Sequence, residues 1–178
     1  MAWTNPPTFN NGNLLTAEAL NTYLRDNMME TEVAKAQTAG AYLVVTGQNE
    51  IAERSWDTDF ILAQESTLST TYVDLATPGP QVTIETGTRA IVFLAASIRS
   101  TPQLARMSIE ISGATNLAPT VDYALNFQAP GFSGVDFQTA NYVVFQGLTP
   151  GINTFTCKYL VTAGAGVFSR RRIVVLPF

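Results

Sequence analysis

The chain of 178 residues is 46% hydrophobic and only 13% charged, with a formal net charge of −4 at pH 7. This composition excludes intrinsic disorder, which requires low hydrophobicity and high charge, and the negative charge disfavours nonspecific binding to nucleic acid. Histidine is absent and Cys157 is the single cysteine, so a Ser-His-Asp triad, a histidine-ligated metal site and an intrachain disulfide are excluded. We expect no membrane span and no signal peptide, because no apolar run is long enough and the first residues lack a basic, then apolar, leader pattern.

Charge divides the chain near residue 65. Residues 1–65 carry nine acidic and three basic residues, whereas residues 66–178 carry five acidic and seven basic residues. We therefore expect three parts: an N-terminal arm and helix at 1–40, a connecting β segment at 41–66, and a β domain at 67–178.

The arm comes first in the chain and is expected to be irregular. Pro6 and Pro7 oppose a helix, and Asn10-Asn11-Gly12-Asn13 is typical of a turn. A helix is predicted from Ala17 to about Ala36, with Thr16 as its N-cap and Gly40 beyond its end. Because one amphipathic helix of this length is only marginally stable alone, it must pack on its own domain, on copies of itself or on another protein.

Beyond residue 40 the pattern indicates strands separated by Gly and Pro turns. Short β runs are predicted at Ala41–Thr46 and Trp56–Gln64, and then eight strands at Thr71–Thr77, Gln81–Glu85, Arg89–Ser97, Ala105–Ser112, Val121–Phe127, Asn141–Gln146, Ile152–Thr162 and Phe168–Leu176. We predict a mainly β protein: an antiparallel β-sandwich, jelly-roll-like by its eight strands, with an immunoglobulin- or fibronectin-like sandwich as the alternative. The alternative is favoured by Gly147-Leu148-Thr149-Pro150-Gly151, which is similar to a turn of fibronectin type III domains.

One predicted strand is apolar on both of its faces. The run Ala90-Ile91-Val92-Phe93-Leu94-Ala95-Ala96 needs a second covering surface in addition to the core of the sandwich. An adjacent subunit is the simplest cover, and the helix is the other candidate.

The residue pattern indicates no specific catalytic, cofactor-binding or metal-binding group. Asp57 and Asp59 share a strand face and could serve acid–base chemistry or bind a cation, although solvated carboxylates are commoner. Cys157 lies on an apolar strand face and is expected to be a small core residue. The basic run Arg170, Arg171 and Arg172 is predicted either to contact a subunit, an anion, a glycan or an acidic partner, or to protect an edge strand.

The first residues resemble a known group of proteins. Trp3-Thr4-Asn5-Pro6-Pro7, and then Gly12 to Asn27 with its Leu24-Arg25-Asp26-Asn27 helix, resemble the opening of many small virion proteins of tailed bacteriophages. The match covers about 27 of the 178 residues. Members include minor tail proteins, short fibres, and head fibre or decoration proteins, and the rest of the chain is similar in pattern to their trimeric jelly-roll knobs.

This resemblance implies a non-enzymatic structural protein on the virion surface, made in the host cytoplasm and needing no cofactor. Its implied partners are two further copies in a homotrimer and other capsid or tail proteins, with no nucleic acid and no membrane. The candidates for the particle anchor are Trp3, Phe9, Leu20, Leu24, Arg25, Asp26, Asn27 and Met28.

A tail adhesin or carbohydrate-binding knob that recognises a host surface glycan is the alternative function. Exposed aromatic side chains would serve it, and Tyr123 and Tyr142 are the candidates near predicted loops.

Overall fold

The computed structural model describes residues 4–101, 103–128 and 135–178. The chain forms two compact units. The N-terminal unit runs to Ser55 and includes Phe178, and the second unit, which we call the knob, spans Trp56–Pro177. Residues 56–66, predicted above as part of the connection, therefore belong to the knob.

The helical part of the N-terminal unit is shorter than predicted. Helix α1 (Ala17–Leu20) passes directly into a π-helix at Asn21–Asp26, and helix α2 covers Glu32–Lys35. Thr16 is the N-cap, since its side chain accepts a hydrogen bond from the Ala19 amide at 3.1 Å. The helix predicted as continuous to Ala36 is interrupted near Thr31, whose hydroxyl donates to the Met28 carbonyl at 2.8 Å, because short polar side chains compete for backbone groups.

A β-hairpin completes the N-terminal unit. Strand β1 (Tyr42–Gly47) pairs antiparallel with β2 (Glu50–Arg54). Gly40 precedes the hairpin with a φ of +83°, a left-handed conformation that glycine adopts at no steric cost.

The described residues of the knob form nine strands in two antiparallel sheets: β3 (Asp57–Ile61), β4 (Glu65–Thr67), β5 (Gln81–Thr86), β6 (Arg89–Thr101), β7 (Ala105–Gly113), β8 (Leu125–Phe127), β9 (Phe137–Gln146), β10 (Gly151–Val161) and β11 (Ala165–Pro177). One sheet has the order β3-β11-β6-β9, with β4 also paired to β11, and the other has the order β5-β10-β7-β8.

The strand order distinguishes the two predicted sandwiches. Strands β3 and β4 pair with successive parts of β11 and together act as one first strand. With that strand as the first of eight, the two sheets read 1-8-3-6 and 2-7-4-5 in chain order. This is the two-sheet arrangement of a jelly roll, whereas an immunoglobulin-like sandwich pairs its strands differently. The mainly β, antiparallel jelly-roll prediction is confirmed.

The core of the knob lies between the two sheets. Inward side chains alternate along each strand, as on β10, where Phe155, Cys157, Tyr159 and Val161 are all fully buried. Aromatic rings pack across the core, with the ring centroids of Tyr159 and Phe168 4.8 Å apart. The predicted strand face carrying Cys157 is therefore confirmed as core.

Two predicted strands differ from the structure. The segment predicted as Thr71–Thr77 is a loop with one bridge, Val73 to Tyr159, and the Ser69 hydroxyl donates to the Thr71 carbonyl at 2.7 Å within that loop. The segment predicted as Val121–Phe127 begins with a 3-10 turn before β8. In both cases hydroxyl side chains satisfy backbone groups that a strand would have paired.

Asn153 is expected to hold the loops at one end of the knob. Its buried side chain donates to the Thr86 hydroxyl at 2.7 Å and to the Thr149 carbonyl at 3.1 Å, and accepts from the Thr115 amide at 2.7 Å. Asn153→Ala leaves these groups unpaired, and we expect the free energy of unfolding to fall by about 2–3 kcal/mol.

Urea unfolding of the wild type and the variant checks this prediction. Asn116→Ala serves as the control, since Asn116 is exposed, and its effect should stay within about 0.5 kcal/mol. Equal effects of the two substitutions would contradict the role given to Asn153.

Candidate functional site

The N-terminal unit exposes most of its large apolar side chains. Of the predicted anchor residues, Phe9, Leu20, Leu24 and Met28 are 49%, 42%, 55% and 62% exposed, and Trp3 lies outside the described residues. Five further exposed residues were not singled out from the sequence: Leu14, Leu15, Met29, Val45 and Phe178. Among the described side chains of this unit, Val44 is the only buried apolar one. This unit therefore presents an apolar surface that no core of its own covers.

The polar anchor candidates have local partners in the N-terminal unit. Asn27 is buried and fastens the arm, because its side chain accepts from the Thr4 amide at 2.9 Å and donates to the Thr4 carbonyl at 2.8 Å. Arg25 pairs with the adjacent Asp26 at 2.6 Å. Asn27 thus holds the arm against the helix, and the apolar anchor candidates remain exposed.

The three consecutive arginines lie at a β-bulge in β11. The register of β11 against β6 shifts between Ser169 and Arg172, and Arg170 has a φ of +50°. Arg170 and Arg172 are exposed, and the Arg172 guanidinium lies 4.5 Å from the centroid of the Phe60 ring.

Arg171 points into the interior and is fully buried, so it cannot make the partner contact predicted for all three arginines. That prediction remains only for Arg170 and Arg172. Its guanidinium pairs with the Glu65 carboxylate at 2.9 Å, donates to the Thr77 carbonyl at 3.2 Å and lies 5.4 Å from the Tyr159 ring centroid. Burial by itself raises the pKa of Glu65, but the Thr77 hydrogen bonds and the Arg171 charge outweigh it and lower that pKa. The cluster is an internal ion pair.

The other chemical candidates also have structural partners. Asp57 accepts a hydrogen bond from the Thr58 amide, and Asp59 accepts from the Gln81 amide at 2.8 Å. Burial raises the pKa of the Cys157 thiol, which disfavours the reactive thiolate. No group of three or more potential metal ligands occurs among the described residues. In the same part of the chain, no helix is long and apolar enough to cross a membrane.

The outer faces of the two knob sheets differ sharply. On the sheet β5-β10-β7-β8 the outer face is polar: Thr83 and Thr154 share a hydrogen bond of 2.9 Å, and Lys158 pairs with Asp74 at 2.8 Å and Glu110 at 3.2 Å. Burial lowers the pKa of Lys158, but these two carboxylates outweigh it and raise that pKa.

On the sheet β3-β11-β6-β9 the outer face is apolar. The surface that we call the apolar face consists of Phe60, Ile91, Phe93, Tyr142, Val144 and Val174. These residues lie side by side, since Phe93 pairs with Tyr142 on β9 and Val174 on β11, and Ile91 pairs with Val144. Tyr142 is 63% exposed and Phe93 is 45% exposed.

A shallow depression of about 230 Å³ lies within the apolar face, with Phe93, Ala95, Ala140, Tyr142 and Arg172 among its lining residues.

The two aromatic residues predicted for glycan binding differ in position. Tyr142 lies in strand β9 and is exposed, whereas Tyr123 is half-buried with its ring centroid 4.9 Å from that of Phe145.

Among known proteins, this chain is similar in fold to solved structures at low sequence identity. No protein-family model and no curated protein matches this chain. The chain is similar to the VP2 subviral particle of infectious bursal disease virus, with 10% identity and a TM-score of 0.50 over 74% of this chain and 36% of that one. It therefore spans about a third of the length of that capsid protein.

Two weaker similarities also occur among solved structures. One is to the T13 particle of the same virus, with 13% identity and a TM-score of 0.49 over 74% of this chain and 34% of that one. The other is to a carbohydrate-binding module of Cellvibrio mixtus lichenase 5A, with 15% identity and a TM-score of 0.31 over 78% of this chain and 89% of that one. At the identity of the first similarity, the relation to viral capsid proteins is one of fold alone.

Proposed function

We propose that this chain is a non-enzymatic structural protein of a tailed-bacteriophage virion. In this proposal the N-terminal unit attaches the chain to the particle and the knob is displayed on its surface, as a spike, a head fibre or decoration, or a minor tail protein. The observation that carries the proposal is the apolar surface of the N-terminal unit, where Phe9, Leu20, Leu24 and Met28 are exposed and Val44 is the one buried apolar residue among the described side chains.

Burial of this surface by other virion proteins would give firm attachment. Each large apolar side chain contributes roughly 1.5–3 kcal/mol when it is fully buried. Three chains joined as a homotrimer would hold three such surfaces together, which strengthens attachment by raising the effective concentration of each anchor at its site. The jelly-roll knob and the N-terminal resemblance to phage virion proteins support the same function.

The attachment can be tested with a triple variant of the full chain. Leu20→Ser, Leu24→Ser and Met28→Ser together are expected to reduce incorporation into particles by more than about tenfold, since even one lost apolar contact of about 1.4 kcal/mol corresponds to a factor of ten. Incorporation is measured by immunoblotting of purified particles against the total expressed protein.

A matched control replaces three exposed apolar residues of the knob, Leu68, Val121 and Ile152, with serine. This control should enter particles as the wild type does. A triple anchor variant that is folded and incorporated at the wild-type level would refute the attachment role of the N-terminal unit.

Host-glycan recognition by a tail adhesin is the second candidate function. The depression beside Tyr142 favours it, because an exposed aromatic ring can stack on a sugar ring while Arg172 supplies hydrogen-bond donors. Binding of the full chain to a glycan array that is lost in Tyr142→Ala would support this function, and an array without bound glycans would remove it.

A further inference from the structure

We infer that the apolar face of the knob is the surface through which copies of this chain contact one another. The inference deepens the homotrimer named under the proposed function and rests on it. Its starting point is strand β6, where Val92 and Leu94 are fully buried in the core while Phe93, between them, points outward and is 45% exposed. A strand that is apolar on both faces needs a cover on each of them.

The size of the apolar face favours a protein partner. Its residues lie in three neighbouring rows of outward positions across the four strands, and the middle row also includes the polar Thr58 beside Val174, Phe93 and Tyr142. At strand spacings of about 4.8 Å and same-face spacings of about 7 Å, these rows cover about 400 Å². This is about half of the ~800 Å² that each partner buries in a stable interface, so the surrounding residues would complete it. A single sugar ring would cover only a small part.

The composition of the apolar face is that of an interface centre. Aromatic residues and arginine are enriched where proteins meet, and tyrosine and arginine are frequent energetic hot spots. Phe93 lies near the middle of the face, Tyr142 lies beside it on the edge strand β9, and the Arg172 side chain is held in place over the Phe60 ring. The aliphatic side chains of Ile91, Val144 and Val174 give a protein surface more apolar contact than a hydroxyl-rich sugar could use.

A polar rim surrounds the apolar face at both ends of the strands. The exposed Arg89 pairs with the exposed Gln146 at one end, and the exposed Gln138 lies at the other. Next to the second end, Arg99 and Asp136 form an ion pair of 3.6 Å. An apolar centre with a polar rim is the usual anatomy of a protein–protein interface.

A second copy is the partner that these features fit. The middle row of Thr58, Val174, Phe93 and Tyr142 carries no charge, so the same row of a second copy can pack against it without bringing equal charges together. The polar outer face of the sheet β5-β10-β7-β8, with its ion-paired Lys158, identifies the opposite side of each knob as the side that faces solvent. The copies would thus associate through one sheet and expose the other.

The test compares matched pairs of cross-strand neighbours in the full-length protein. Phe93→Glu with Tyr142→Glu places two carboxylates on the apolar face, and Thr83→Glu with Thr154→Glu does the same on the polar face. Mass is measured by size-exclusion chromatography with light scattering at micromolar concentration, and folding by circular dichroism. We expect the wild type and the polar-face variant to have the mass of three chains, and the apolar-face variant to be a folded single chain.

A folded apolar-face variant that keeps the mass of the wild type would overturn the inference, as would a wild type that is a single chain. If the apolar-face variant fails to fold, hydroxyl-radical footprinting of the wild type shows whether the apolar face is covered in the assembled protein. Protection of Tyr142, which is 63% exposed in one chain, supports the inference, and full reactivity overturns it. Loss of glycan binding in this variant with unchanged mass would assign the face to a sugar instead.

These outcomes are separate from those of the attachment test. The anchor variant with Leu20, Leu24 and Met28 replaced should still have the mass of three chains. A wild type that assembles but never enters particles would refute the proposed function and leave the apolar face as an interface. If instead the wild type enters particles but the apolar-face variant keeps the mass of three chains, the proposed function stands and the apolar face is not the interface.

Discussion

Replacing Arg171 with methionine is expected to lower the free energy of unfolding by about 3–5 kcal/mol, the usual cost of removing one partner of a buried ion pair. The Arg171 side chain has no exposed surface and the Glu65 side chain is only 14% exposed. Methionine fills similar volume but leaves the Glu65 carboxylate without its cation and removes the donor to the Thr77 carbonyl. Urea unfolding of the wild type and Arg171→Met measures the difference.

Arg170→Met is the matched control, since Arg170 precedes Arg171 in the same bulge and is exposed. Its effect should stay within about 0.5 kcal/mol.

The ion pair also makes the stability of the protein depend on pH. Because the folded-state pKa of Glu65 is lowered, the stability it contributes is complete above the pKa of the unfolded chain and is lost as pH falls through the lowered value. The difference in the free energy of unfolding between the wild type and Arg171→Met should therefore become smaller as the pH falls. A difference that grows in acid would contradict a stabilising ion pair.

Phe155→Ala is expected to destabilise the protein by a comparable amount, about 3–5 kcal/mol. Phe155 is fully buried in β10, where it pairs with Val82 on one side and Ile111 on the other, and its ring centroid lies 6.1 Å from that of Phe145. Truncation leaves a cavity that both sheets line, and a close-packed interior refills such a cavity only in part.

Ile152→Ala on the same strand provides the comparison. Ile152 is 57% exposed, so its truncation should change the free energy of unfolding by less than about 1 kcal/mol. Thermal and denaturant unfolding of the two variants, followed by the same spectroscopic probe, measures both. Similar losses for Phe155 and Ile152 would mean that the core does not lie between the two sheets.

The sequence predicted those features that depend on local alternation. On β10 the sequence predicts that Cys157 lies on an apolar strand face, and that face, with Phe155, Tyr159 and Val161, is the core. The need for a second cover over Ala90–Ala96 was also visible, because apolar side chains occupy both parities of that run. The residues that complete the apolar face, such as Val174 and Tyr142, come from distant strands and could be joined to it only by the sheet order.

Features that depend on contacts distant in sequence were missed. Arg171 was grouped with two exposed arginines because a basic run is typical of a surface, whereas its partner Glu65 lies 106 residues earlier in the chain. The bulge in β11 and the ion pair with Glu65 explain the burial of this cation, and neither is visible in the sequence. The break of the helix near Thr31 was missed for another reason: helix propensity does not register the hydroxyl that bonds to the Met28 carbonyl.

Immunogold electron microscopy of phage particles purified from the producing cells, with antibody against the knob, is the most direct test of the virion role. The antibody is raised against residues of the polar outer face around Lys158, since the apolar face is expected to be covered. We predict gold at a constant position on the particles, either the head or the tail, and its loss when the triple anchor variant replaces the wild type. Particles without gold, with the folded protein recovered only in the soluble fraction, would contradict the assignment of this chain to the virion.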